Sequence, residues 1–135
     1  MGYEFNQIAS DVIGSAIEVH RVIGPGLLES ACARCLNREL TLRGIQFVTD
    51  VPVPLMYKGA DAGCAYRVDL IVRGELLVEL KSVGEILPVH SAQVLTYLRL
   101  LNLRQGLLIN FNVPCLKDGV RSILNSRYKA IDVKK

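Results

Sequence analysis

Ile8, Val12, Ala16, Val19 and Ile23 recur at steps of three and four residues, the spacing of one face of an α-helix. This pattern predicts a helix over about residues 6–22, broken by Gly24-Pro25-Gly26. A second helix is predicted over about residues 27–43, with Leu28, Cys32, Cys35, Leu36 and Leu40 on its inner side and Arg43-Gly44 as its stop. The period then shortens. Strands are predicted over about 46–49, 53–58, 64–73 and 76–83. From Pro88, "PVHSAQVLTYLRLLN" returns to helical spacing, with Val94, Leu98 and Leu101 facing in. "GLLINF" (106–111) reads as a buried strand, and "VPCLKDGVRSILN" as a further short strand or turn. Helices and strands in this order predict one α/β domain over residues 1–135, an α+β sandwich on a mixed sheet.

The hairpin "YRVDLIVRGELLVELKSV" (66–83) interrupts its apolar runs with Asp69, Glu79 and Lys81. Side chains alternate along a strand. Val68, Leu70 and Val72 are therefore expected on one face, and Arg67, Asp69 and Ile71 on the other. In the second strand Leu76, Val78 and Leu80 share one face, and Leu77, Glu79 and Lys81 the other. Keeping the apolar sets together requires odd residues to pair with odd, through an odd connection such as Arg73-Gly74-Glu75. Asp69 then lies opposite or diagonal to Glu79, with Lys81 one step along.

Two carboxylates at that separation repel, and a divalent cation removes the cost. Hard oxygen ligands on a rigid strand pair suit Mg²⁺ or Mn²⁺. Lys81 beside the ion is placed to orient or deprotonate a water, or to stabilise charge on a phosphate. A solvated Asp/Glu/Lys salt-bridge face has the same spacing and contributes little to stability.

Composition narrows the reading. The chain has 135 residues, 50% of them apolar, with a mean hydropathy of +0.30. That apolarity is compatible with a surface patch and a homodimer. No apolar run approaches the length of a membrane span, and "MGYEFNQIASDVIG" carries no secretory pattern. The opening Met-Gly has Asn6 where a myristoylation motif needs Ser or Thr. Of four cysteines, Cys32 and Cys35 form a Cys-x-x-Cys inside a helix, while Cys64 and Cys115 stand apart. Reduced, buried thiols in a cytoplasmic protein are expected rather than a zinc site. The net charge is +3. Residues 117–135 carry six basic and two acidic side chains, among them Asp132, Lys134 and Lys135. Such a tail suits phosphate contacts or plain solvation.

Asp69, followed after nine residues by Glu79-Leu80-Lys81, resembles the signature of the PD-(D/E)XK nuclease superfamily. Gln93 and Tyr97 on the next helix resemble the QxxxY motif of RecB-type nucleases. "IEVHRVIGPGLLES", "LPVHSAQVLTYLRL" and "GLLINFNVPCLKDGV" resemble the small GxxExxY proteins of that superfamily. The likeness spans roughly residues 5–125. The name motif appears as Gly26 to Cys32, with Glu29 matched and Cys32 in the tyrosine place.

The resemblance implies a restriction-endonuclease-like core, a mixed four-stranded sheet flanked by helices, in the order α-α-β-β-β-α-β. It implies Asp69, Glu79 and Glu29 as metal ligands with the Leu80 carbonyl, and Mg²⁺ (or Mn²⁺) as the ion. Lys81 would activate water, and Gln93 and Tyr97 would line the site. The implied activity is hydrolysis of a nucleic-acid phosphodiester, in DNA rather than RNA. A catalytically weak or inactive module binding nucleic acid or protein on the same fold is the alternative. Glu29 also suits the positive end of its helix or a capping box. His20 and His90 suit structural hydrogen bonding, and Arg67 a phosphate or an acid.

Overall fold

The computed structural model describes residues 3–130. The side chains of residues 3–6, Cys64 and Ala65 lie outside that description, as do Asp132, Lys134 and Lys135 of the basic tail. Two helices come first, α1 (Tyr3–Ile23) and α2 (Glu29–Leu42). Strands β1 (Phe47–Tyr57), β2 (Ala60–Val72) and β3 (Leu76–Lys81) follow, then α3 (Pro88–Leu101) and β4 (Gln105–Asn110). A 3₁₀ turn (Leu116–Gly119) leads into β5 (Val120–Leu124). The expected order is present and is extended by β5, so the sheet has five strands rather than four, in the order β1-β2-β3-β4-β5. It is mixed: β3 and β4 are parallel and every other pair antiparallel. Helix α3 supplies the crossover that a parallel pair needs.

The strands expected at 46–49 and 53–58 are one strand. Pro52 and Pro54 do not break β1 because it lies at the sheet edge, where a missing N–H is tolerated. The pairing with β2 slips near Pro54 instead.

Apolar side chains fill both sides of the sheet. One layer joins α1 and α2 to Leu70, Val72, Leu76, Val78, Leu80, Leu107 and Ile109. The other joins Val94, Tyr97 and Leu98 of α3 to Val53, Val68, Ile71, Leu77 and Leu108. Val68 therefore does not share a layer with Leu70 and Val72, as strict alternation predicted. The strand pair changes face between Val68 and Leu70, where the facing strand holds Asp50 at a left-handed φ of 51°. Two helix assignments also change. Leu28 precedes the first turn of α2 and is 76% exposed, and Ile23 ends α1 at 43%. Each falls where its helix stops covering the sheet. Among the described residues no helix is long and apolar enough to cross a membrane.

Candidate active site

The β2–β3 turn fixes the two acids. Arg73 and Gly74 both take positive φ, and the Glu75 N–H donates to the Val72 carbonyl, a tight hairpin geometry. Leu70 pairs with Val78, Ile71 with Leu77 and Val72 with Leu76. The pairing ends at Leu70 and Val78, one step short of Asp69 and Glu79, and the expected face-sharing of the two acids is broken by the layer change at Asp69. Asp69 Oδ2 accepts the Leu80 N–H at 2.8 Å, which holds its carboxylate over β3.

Glu79 is 3% exposed, and neither carboxylate oxygen has a hydrogen-bond partner. Burial pushes its carboxyl up to about 9, the neighbouring Asp69 carboxylate adds to the rise, and Lys81 opposes it. A buried charge in this state is costly unless a cation meets it.

Glu79 and Lys81 line a crevice with His90, Gln93, Tyr97 and Tyr66, too tight to admit a water molecule. The α3 spacing puts Gln93 and Tyr97 on one helix face, and that face lies over β3. Tyr66 of β2 stacks on Tyr97, with centroids 4.5 Å apart and planes 9° from parallel. Burial raises both phenols, with Glu79 contributing to each. Tyr66 was not among the expected site residues. Its signal was an aromatic three residues before Asp69, on the strand segment whose face alternation had not anticipated.

Glu29 is the first residue of α2, after Leu28 at the N-cap, whose side chain offers no cap hydrogen bond. Glu29 reaches a second cleft of about 350 Å³ between α2 and β1–β2, where Asp69 also lies. Asp69 thus stands at the junction, with Glu29 on one side and Glu79 on the other. The Ser82 hydroxyl, next after Lys81, donates to the Leu27 carbonyl at 2.6 Å. Strand β3 is thereby tied to the loop that delivers Glu29. Cys32 is buried, with Sγ 4.0 Å from the same carbonyl, and burial raises its thiol.

Both histidines hydrogen-bond to main-chain groups. His90 Nδ1 accepts the Leu87 N–H at 3.0 Å at the start of α3, while His20 Nε2 lies 2.7 Å from the Val113 carbonyl. Arg67 donates to the Asp50 carbonyl at 3.2 Å rather than to an acid. Asn110 clamps the segment after Lys81: its amide donates to the Val83 carbonyl and its oxygen accepts the Val83 N–H, both at 3.0 Å.

Among the described residues no group of three His, Cys, Asp or Glu side chains is close enough to hold a metal ion. What the strands do gather is a pair, Asp69 and Glu79, beside the Leu80 main chain. Hard oxygen donors of that kind suit a divalent cation, and the room for one lies on the Asp69 side, in the cleft shared with Glu29. A cavity of about 960 Å³ opens beside the β2–β3 turn around Gly44, Phe47 and Arg73, away from these acids.

A model of the PD-(D/E)XK nuclease superfamily matches residues 6–123. No curated protein matches the chain. The crystal structure of SSO0001 aligns with a TM-score of 0.48 at 19% identity, over 86% of this chain and 65% of that one. The chain therefore spans less than two thirds of that protein's length.

Proposed function

Because this chain belongs to the PD-(D/E)XK nuclease superfamily, we propose that it is a metal-dependent nuclease of the GxxExxY group, acting on DNA rather than RNA. The observation that carries the reading is the Glu79 carboxylate, buried and without a partner beside Asp69. Asp69, Glu79 and the Leu80 carbonyl would hold Mg²⁺ or Mn²⁺. A cation there supplies Lewis acidity and acidified water. Glu29 acts through water from the adjoining cleft. Lys81, on the strand face of Glu79, orients the attacking water and takes or shares its proton. Gln93 and Tyr97 close the other wall and hold the scissile group against the acids. The described thiols Cys32, Cys35 and Cys115 are free, which fits work in a reducing, cytoplasmic setting.

The tightness of the crevice favours a second reading, a module that binds nucleic acid with little or no turnover. Calorimetry of Mn²⁺ and Mg²⁺ binding, on wild type and on the Asp69→Asn, Glu79→Gln double variant, tests the site. Heat of binding in wild type alone, followed by metal-dependent cleavage of an oligonucleotide, is the expected result. Binding without cleavage selects the second reading. Absence of binding with an oligonucleotide present overturns the metal site.

A further inference from the structure

Strands β1 and β2 outrun the rest of the sheet. β3 pairs with β2 only at Leu70, Ile71 and Val72, whereas β1 and β2 stay paired out to Tyr57 and Ala60. Beyond Val53, which is buried in the α3 layer, the hairpin is an arm of two strands. Its side chains from Pro54 to Gly63 are exposed, apart from half-buried Leu55. Met56 and Tyr57 stand near its end, 60% and 63% exposed. Neighbours on a strand point to opposite faces, so the arm carries an apolar group on each face of its tip.

The tip is tight and basic. Lys58 and Gly59 both take positive φ, 49° and 82°, the two-residue turn that suits a twisted hairpin. Asparagine, aspartate or glycine fills the first place of such a turn with little strain. A lysine kept there despite the strain implies a use for its charge, and its Nζ lies 5.4 Å from the centroid of the Tyr57 ring. The edges of the arm are poor templates for another strand. Pro54 lacks an N–H on β1, and on β2 Asp61 Oδ1 accepts the Gly63 N–H at 2.7 Å. Contact with the tip of a second copy about a two-fold axis would set Lys58 against Lys58. A ring, a thioether and an ammonium together fit a base stack and its phosphates instead.

We infer that the β1–β2 arm is a nucleic-acid wedge: Tyr57 and Met56 enter the base stack of a duplex, and Lys58 meets a phosphate beside the opened step. A body inserted between bases needs apolar surface on both of its faces, which this tip has. The inference rests on the nuclease reading and adds a second point of contact to it. β2 runs from the tip to Asp69, nine residues beyond Ala60, at most about 30 Å at the rise of a strand. The opened step therefore lies within about nine base pairs of a phosphate held at Asp69.

The test is the fluorescence of a short duplex carrying 2-aminopurine in place of adenine, titrated with the full chain in Ca²⁺. This base brightens when it leaves the stack. Wild type, Tyr57→Ala, Tyr57→Phe and Lys58→Asn are compared, with melting curves run on each. Wild type should bind the duplex and brighten it. Tyr57→Ala should abolish the brightening and weaken binding about tenfold. Tyr57→Phe keeps the ring and should keep both. Lys58→Asn suits the turn, so its melting temperature should not fall. It should keep the brightening and lower the slope of affinity against salt by about one. All three variants should bind Mn²⁺ as wild type does in calorimetry. Brightening that survives Tyr57→Ala, or binding by wild type without brightening, overturns the wedge and leaves the nuclease reading standing. So does a wild-type dimer that Tyr57→Ala makes monomeric in sedimentation with duplex binding unchanged. Mn²⁺ binding without duplex binding overturns the wedge and leaves the metal site. If wild type binds neither, the nuclease reading falls and takes the wedge with it.

Discussion

Glu79 concentrates the chemistry of the molecule in one side chain. Its carboxyl titrates near 9 when folded against an ordinary value of 4.5. The folded state therefore holds a proton that the unfolded chain has lost, and stability falls as pH rises from about 5 towards 9. Melting temperature followed across that range without divalent metal should show the decline, and Glu79→Gln should remove it. At pH 8 the variant should be more stable by about 1–3 kcal/mol. Mg²⁺ should raise the wild-type melting temperature most at the alkaline end, and should leave the variant unmoved. Lys81→Met tests the partner residue. It should retain metal binding by calorimetry while cleavage drops about 10²-fold or more. Equal losses of binding and cleavage would assign Lys81 to holding the site together. At this scale alternation and a three-residue turn made the nearness of Asp69 to Glu79 legible, but not the break in alternation at Asp69 that brings it to the α2 cleft. The sequence was uninformative for Tyr66 and Asp50, whose roles depend on which neighbours a twisted strand pair and a packed helix bring to them.

Among the elements, the join between α2 and β3 matters most. Ser82 of the β3 exit and Leu27 of the α2 approach meet through one hydrogen bond. Ser82→Ala should cost about 1 kcal/mol in denaturant unfolding. It should also weaken whatever Glu29 contributes, so Glu29→Gln should matter less in the Ser82→Ala background than in wild type. Additive effects in a double-mutant cycle would show that the join and the acid act independently. The helices were readable from their periodicity, and their ends less so. Leu28 fits the apolar stripe of α2 but stands before its first turn, where the chain has not yet turned inward. Continuity of β1 through Pro52 and Pro54 was hidden for another reason: proline argues against a strand only when its N–H would face a neighbour, and an edge has none on one side. Val68 departs from strict alternation because this pair changes layer at Asp69, opposite the left-handed Asp50.

On the scale of the whole molecule, the two ends of α3 separate the chemistry from the basic tail. His90 and Gln93 near its start face the crevice. Asn102 and Asn125 near its far end tie down the last described segment. Asn125 Nδ2 donates to the Leu103 carbonyl at 3.0 Å, Asn102 Nδ2 to the Lys129 carbonyl at 2.9 Å, and Arg104 lies over the Tyr128 ring. The exposed charges of Arg127 and Lys129 thus leave the body at the end remote from Glu79. Reversing both to glutamate should leave metal binding and turnover at saturating substrate unchanged. A fall in saturating turnover would show that substrate spans the length of α3. The fifth strand belongs to this scale too. β5 follows a 3₁₀ turn in which Gly119 backs onto the Asn110 carbonyl with no room for a Cβ, a constraint visible only after β4 is in place.

The turn between β2 and β3 acts as a ruler. Its three residues set the count from Asp69 to Glu79, and the side chains within it are exposed. Their identities are therefore free to drift as long as the left-handed geometry survives, while their number is not. Inserting or deleting one residue there would set the apolar positions of one strand against the wrong layer and carry Glu79 and Lys81 away from Asp69. Grafts and alignments that include this hairpin should be judged by the length of this interval before the letters inside it.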